Sequence, residues 1–330
     1  MSPTVPGEPA QEPVQQQFGG MPKRLYSASP SKLLAWLDCP RRYRMQYLDR
    51  PRPAPRSQRA HTSIGVATHN ALRDFWDLTS AERTPAAVER LVRQSWIDIG
   101  FRDPDQSAEW RVRTTERVTT YLRGIDRDLQ PLGVERTVSL RTTSIAVTGR
   151  VDRLDDRDGE LVVVDYKTGR ARLTDDDART SLPLALYAVA AAGMFRRPCV
   201  RVELHHLSTG EVLAHEHNPE SLRRKVAEAE SIASDLRRVD ADYTANGVGS
   251  QLFEPRVSPI CTWCDFRAHC PEGQLFGPEK SDWAGLEANG PAGAVAVVTG
   301  GPRQHGPDVD TSHTSTGESG PASHGGAVTG

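Results

Sequence analysis

The stretch from Gly149 to Arg170, GRVDRLDDRDGELVVVDYKTGR, constrains this chain more than any other. It predicts a β-hairpin. One arm, Ile145–Leu154, is apolar-rich and partly alternating; Asp156-Arg157-Asp158-Gly159 makes the turn; Leu161–Tyr166 is β-branched and nearly uninterrupted. A Leu-Val-Val-Val run between turn signals reads as a central strand covered on both faces. That strand ends in Asp165-Tyr166-Lys167, and a period of two puts Asp165 and Lys167 on one face. Asp152 lies on the other arm, close enough for a single hairpin to fold it back beside them. Two carboxylates and an ammonium at the end of an apolar strand are unfavourable unless they pair or hold a metal.

On a surface hairpin, Asp-x-Lys would be an ordinary ion pair. At the end of a buried strand, with Asp152 opposite, the trio suits metal-assisted phosphodiester hydrolysis. Carboxylates on adjacent strands hold Mg²⁺ or Mn²⁺, which prefer oxygen ligands. The metal acidifies a bound water and stabilises the charge that develops on phosphorus-bound oxygens. Lys167 would orient that water or neutralise the charge. Only Lys23, Lys32, Lys167, Lys225 and Lys280 are lysines among 41 lysines and arginines, so the chain ordinarily uses arginine. A site that needs a compact point charge, or one able to lose a proton, calls for lysine.

Gly149-x-x-Asp152 followed by Asp165-Tyr166-Lys167-Thr168-Gly169 resembles the PD-(D/E)XK nuclease superfamily, specifically its RecB-like exonuclease and Cas4-like branch. The resemblance covers about residues 24–277. It implies an α/β, restriction-endonuclease-like core: a mixed central sheet flanked by helices, with its terminal segments clamped by a metal cluster. It also implies Asp152 and Asp165 as metal ligands and Lys167 as the catalytic lysine.

Preceding elements add to this set. A helix is expected over residues 64–78, with Val66, His69, Leu72 and Trp76 near one face. By residue pattern alone, His69 is a core histidine. Gly65-Val66-Ala67-Thr68-His69 resembles the family's Gly-x-x-x-His helix start, which implies an additional metal ligand. Val134–Leu140 reads as a strand carrying Glu135; the resemblance implies an accessory acid there, and a surface glutamate fits as well. In the helix Leu182–Met194, Tyr187 matches the family's Gln-x-x-x-Tyr pattern, whose residues line the DNA. Pro183 stands at the glutamine position. Proline is tolerated in a first helical turn, so the helix should survive while a polar contact is lost.

Net charge is −2, yet residues 21–60 carry ten Lys or Arg against Asp38 and Asp49. This is a localised basic footprint. Within it Ser29-Pro30 should start a helix, and Arg41, Arg42 and Arg44 alternate with Tyr43 and Tyr47. That pattern suits phosphates and stacked bases, or equally a helix packing its tyrosines inward. Pro51–Ala60 reads as a Pro/Arg linker. Helices are expected over 85–98, 107–129 and 219–238, with a second hairpin over 199–217. Its His205 and His206 are adjacent and point to opposite faces, which argues against a shared ion.

Cys261-x2-Cys264-x5-Cys270 places three thiols close together, and Cys39 is the natural fourth. Four thiolates fit [4Fe–4S] or Zn²⁺; the resemblance to iron–sulfur nucleases favours the former. Such a cluster would tie the first helix to the C-terminal segment. Cys199 is left over as a buried thiol.

No apolar run is long enough to span a membrane, and the Pro/Gln-rich start lacks a signal-peptide core. The expectation is a cytoplasmic protein with three parts: a disordered N-terminus (1–23), a nuclease domain (24–277) and a disordered tail (278–330). Its expected work is exonucleolytic hydrolysis of DNA, single-stranded or at ends, in repair or recombination. No Walker A motif is present, so unwinding would fall to a separate helicase. The rival readings are a nucleic-acid-binding module that keeps fold and cluster without cleaving, and a zinc-stabilised RNA-processing enzyme.

Overall fold

The hairpin forms where expected, with longer arms. Strands β3 (Ile145–Arg157) and β4 (Glu160–Lys167) pair antiparallel from Arg153↔Val164 to Arg157↔Glu160. Asp158 and Gly159 both have positive φ, +53° and +95°, as a tight two-residue Asp-Gly turn requires. The computed structural model describes residues 25–287. The expected disordered N-terminus, and the tail beyond residue 287, lie outside the described residues.

Before the hairpin come β1 (Tyr26–Ala28), helices α1 (Pro30–Asp38), α2 (Pro40–Tyr47), α3 (Ala60–Trp76), α4 (Pro85–Ser95) and α5 (Pro104–Arg123), and β2 (Gly133–Arg141). Among the described residues, Ser29, Thr84, Asp103, Ser181 and Asn218 share one helix-start chemistry: each side-chain oxygen accepts a backbone N–H and proline follows in the first turn. After the hairpin, α6 (Asp175–Thr180) and α7 (Leu182–Phe195) cross over to β5 (Arg201–His206), which lies parallel to β4. β6 (Glu211–Glu216) pairs antiparallel with β5, and α8 (Pro219–Asn246) follows. The sheet runs β1-β3-β4-β5-β6, with β2 on the other edge of β3. It is the mixed, helix-flanked sheet expected. Pro183 sits in the first turn of α7, which persists around it.

β4 is buried on both faces. Val162, Val164 and Tyr166 pack against Leu72, Phe75 and Trp76 of α3 and against Val118 and Tyr121 of α5. Leu161 and Val163 pack against Leu184, Ala188 and Ala191 of α7. On that second side α8 joins α1 and α2 through Leu33, Tyr43, Ala233 and Leu236.

Two expected boundaries move. Residues 51–59 do more than link, because they lie along the C-terminal segment. The Ala54 carbonyl meets His269 Nε2 at 3.0 Å, Arg56 N donates to Asp265 O at 2.7 Å, and Arg59 Nη1 donates to Trp263 O at 2.6 Å. Residues 278–287, assigned above to the tail, are also packed. Leu286 and Trp283 join Ala60, Ile64 and Trp110, and Arg56 pairs with Glu279 and Asp282. Glycine-rich composition past residue 287 masked two anchoring apolar side chains.

His61, at the start of α3, stands edge-on to Trp263 in this seam. Burial, with Arg59 adding to it, pushes its imidazole down to about 4. Its folded pKa lies below the unfolded value of about 6.5. The unfolded chain therefore binds more protons in this window, and stability is lost as pH falls from about 6.5 toward 4. At pH 5 the expected loss from His61 is about 2 kcal/mol. Urea midpoints at pH 7 and pH 5 check it: His61→Phe should flatten the difference, and an unaltered difference would refute the assignment.

Candidate active site

β2 and β3 pair regularly on either side of one irregularity. Val134 faces Arg153 and Arg136 faces Val151 in one register, which sets Glu135 opposite Asp152, the one position where the ladder pair is missing. Glu135 has φ +48°, a left-handed conformation uncommon for a residue with a side chain. Such local strain gathers at functional positions. The kink lets both acids face α3, where His69 meets them. His69 Nδ1 lies 3.2 Å from Asp152 Oδ1 and 3.9 Å from Glu135 Oε1. One ligand atom from each of the three residues lies within 4.8 Å of the others. An imidazole nitrogen and two carboxylate oxygens form a donor set fit for Mg²⁺ or Mn²⁺.

Asp152 is buried, and its Oδ2 accepts the backbone N–H of Tyr166 at 2.9 Å. Burial acts to raise its pKa. His69, the Tyr166 N–H and Lys167 outweigh that and hold the carboxyl below the usual range. Asp165 behaves oppositely. Burial and the neighbouring Asp152 charge push it up, against the pull of Lys167. Lys167 Nζ lies 2.7 Å from Asp165 Oδ2. Burial works against the ammonium, but Asp165 and Asp152 raise its pKa, so it stays charged.

The structure thus brings His69, Glu135 and Asp152 together, with Asp165 and Lys167 paired beside them. Tyr187 faces the same carboxylates: burial, then the charges of Asp165 and Asp152, push its hydroxyl up. Its ring lies against Gly149, where an added Cβ would fall 2.3 Å from Tyr187 Cε1. That explains a glycine at this place in a strand. Residue patterns did not reveal two further participants. Arg150 sits 3.3 Å from Glu135 Oε2, and the Tyr166 main chain holds Asp152.

The arginines of α2 are elsewhere and engaged. Arg41 pairs with Glu272 at 3.1 Å, Arg42 with Asp38 at 3.1 Å and Arg44 with Asp49 at 3.2 Å. Tyr43 is buried and donates to Asp240 at 2.7 Å, so it is not offered to a base. Of the two patterns α2 could follow, its tyrosines take the inward one.

Cys39, Cys261, Cys264 and Cys270 line one cavity, together with Arg41, Arg42, Arg256 and Arg267. Each sulfur accepts a backbone N–H. Arg256 donates to Cys39, Ser258 to Cys261 and Gly273 to Cys270, each at 3.4 Å, and Phe266 donates to Cys264. Burial pushes the Cys264 thiol up to about 11 and raises Cys270 as well. A coordinated metal reverses that preference by deprotonating the thiol. The sulfurs surround the cavity rather than touch. Among the described residues, only the His69 group brings three donor atoms within 4.8 Å.

The family described as PD-(D/E)XK nuclease superfamily matches residues 27–271. Among solved structures, a candidate exonuclease from Eubacterium rectale is similar at a TM-score of 0.44 and 12% identity, over 74% of this chain and 88% of that one. A second, SSO0001, is similar at a TM-score of 0.35 and 13% identity, over 76% and 87%. No curated protein matches.

Proposed function

The chain belongs to the PD-(D/E)XK nuclease superfamily, and from that premise we propose a metal-dependent deoxyribonuclease of the RecB-like, Cas4-like branch. It acts as an exonuclease on single-stranded DNA or DNA ends in repair or recombination, in the cytoplasm, and leaves unwinding to a separate helicase. The observation that carries this reading is the meeting of His69, Glu135 and Asp152 beside the Asp165–Lys167 pair.

A bound Mg²⁺ or Mn²⁺ supplies an activated water and positive charge for the phosphoryl oxygens. The chain's own residues divide the remaining work. Asp152 would hold the ion, with its Oδ2 also accepting the Tyr166 N–H that fixes the carboxylate. His69 Nδ1 and one Glu135 oxygen would complete the group, and Asp165, on the neighbouring strand, would supply a further oxygen. The repulsion between Asp165 and Asp152 is what a divalent cation relieves. Lys167, paired with Asp165 at 2.7 Å, would orient the attacking water or neutralise charge on the scissile phosphate. Tyr187, beside both carboxylates, contacts the strand.

The cavity lined by Cys39, Cys261, Cys264 and Cys270 fits a structural cluster. The resemblance to iron–sulfur nucleases favours [4Fe–4S] over zinc as its occupant. Anaerobically purified protein should then be brown with a broad visible absorption; colourless protein containing stoichiometric zinc would overturn this.

Pro183 favours a second reading, a nucleic-acid-binding module with weakened cleavage, because the polar contact expected there is absent. Incubation with Mn²⁺ and end-labelled single-stranded DNA, beside Asp165→Ala, separates the two. Wild-type degradation that the variant loses supports the nuclease. Equal degradation by both points to a contaminant and removes the assignment, and binding without cleavage favours the module. The direction of shortening gives the polarity.

A further inference from the structure

Beside the acidic group, between β3, β4 and the helices α3 and α5, lies a buried polar network that cleavage chemistry does not itself require. Arg153 Nε and Nη2 each approach the carboxylate of Asp155 at 2.9 Å. Its Nη1 donates to the hydroxyls of Tyr121 at 3.1 Å and Tyr166 at 3.3 Å. Trp76 Nε1, from the last turn of α3, donates to the Tyr166 hydroxyl at 3.0 Å. Beyond Tyr121, His205 Nδ1 shares a hydrogen with the Tyr121 hydroxyl at 2.8 Å, and His205 Nε2 meets Glu203 at 2.9 Å. Arg157 and Arg201 close the network on Glu203.

Tyr166 links this network to the proposed metal site, and it does so twice. Its main-chain N–H holds Asp152 Oδ2 at 2.9 Å. Its ring stands edge-on to the His69 imidazole, with centroids 5.9 Å apart and planes at 81°. One residue therefore fixes a carboxylate from β3 and an imidazole from α3. Its own ring is fixed in turn by a hydroxyl that receives two N–H donors, one from each of those elements.

We propose that Tyr166 is the positioning residue of the metal site, and that the Trp76 and Arg153 donors on its hydroxyl set the geometry of His69 against Asp152. This rests on the metal-site reading above. A buried arginine–aspartate pair could serve stability alone. What favours a further role is that its guanidinium ends on the residue holding a ligand, as the partners of metal ligands characteristically do.

Tyr121 supplies the control, because its hydroxyl receives the same Arg153 Nη1 and turns to His205. Mn²⁺ is titrated into metal-free full-length protein, the free ion is counted by electron paramagnetic resonance, and melting is recorded without metal. Tyr166→Phe and Tyr121→Phe should melt lower by similar amounts. Tyr166→Phe should weaken Mn²⁺ binding about tenfold, while Tyr121→Phe stays within about twofold of wild type by the same reasoning. If Tyr166→Phe does not fold, Trp76→Phe removes the indole donor and should weaken Mn²⁺ binding in the same sense. Loss of binding in Asp152→Ala with equal affinity in the two tyrosine variants overturns this proposal alone. Binding unchanged in Asp152→Ala overturns the metal reading and this proposal together.

Discussion

Asp152→Asn is expected to slow strand cleavage by about a thousandfold, a loss of roughly 4 kcal/mol of transition-state stabilisation. Asparagine keeps the shape and an oxygen able to accept the Tyr166 N–H at this position. It removes the charge that faces His69 at 3.2 Å and, on the proposed reading, one metal ligand. Glu135→Gln should have the smaller effect. Glu135 stands further from His69, at 3.9 Å, and Arg150 already draws on its second oxygen. Single-turnover cleavage of end-labelled DNA at saturating Mn²⁺ measures both. Asp152→Asn cleaving at the wild-type rate would remove the acidic group from the chemistry.

Asp155→Ala is expected to produce the largest loss of stability, about 3–5 kcal/mol. Arg153 is 1% exposed and Asp155 fully enclosed, so the substitution leaves a guanidinium inside the fold without its carboxylate. The tyrosine hydroxyls accept hydrogen bonds but carry no compensating charge. Arg157 would suffer less, since Glu203 still holds it. For a domain of this size the melting temperature should fall by roughly 6–20 °C. Glu89→Ala, which breaks a solvent-exposed pair with Arg93, should leave melting almost unchanged. Equal melting of the two variants would show the buried pair to be dispensable.

How much was legible in advance depended on whether the controlling physics was local. The hairpin was readable because Asp-Gly sets its turn and the Val-rich arm its burial. The helix start at Ser29-Pro30 was readable because a capping residue and proline act within one turn, whereas the helices expected from 64 and 107 begin earlier, at Ala60 and Pro104. The pairing of Asp165 with Lys167 followed from strand periodicity. Glu135 was placed near the site by resemblance, but its left-handed backbone opposite Asp152 is announced by no pattern in Val134–Leu140. Arg153 looked like one more charge in an Asp-Arg-Leu-Asp alternation; only tertiary contact places it on Tyr166. β1 has three residues, too few for periodicity, and its parallel partner lies over a hundred positions away. The inward tyrosines of α2 required Asp240 of α8, equally remote.

The seam between the first helices and the cysteine-bearing segment has a consequence for how the chain is made. Cys39 receives its backbone hydrogen bond from Arg256, 217 residues later. At 5–20 residues per second, the ribosome needs roughly 10–45 s to deliver that partner. During this interval α1 and α2 have been synthesised but the wall that closes over Cys39 has not. The nascent protein thus passes through a stage in which the Cys39 thiol faces the surrounding redox milieu, and the closing of its wall waits on a segment made more than two hundred residues later.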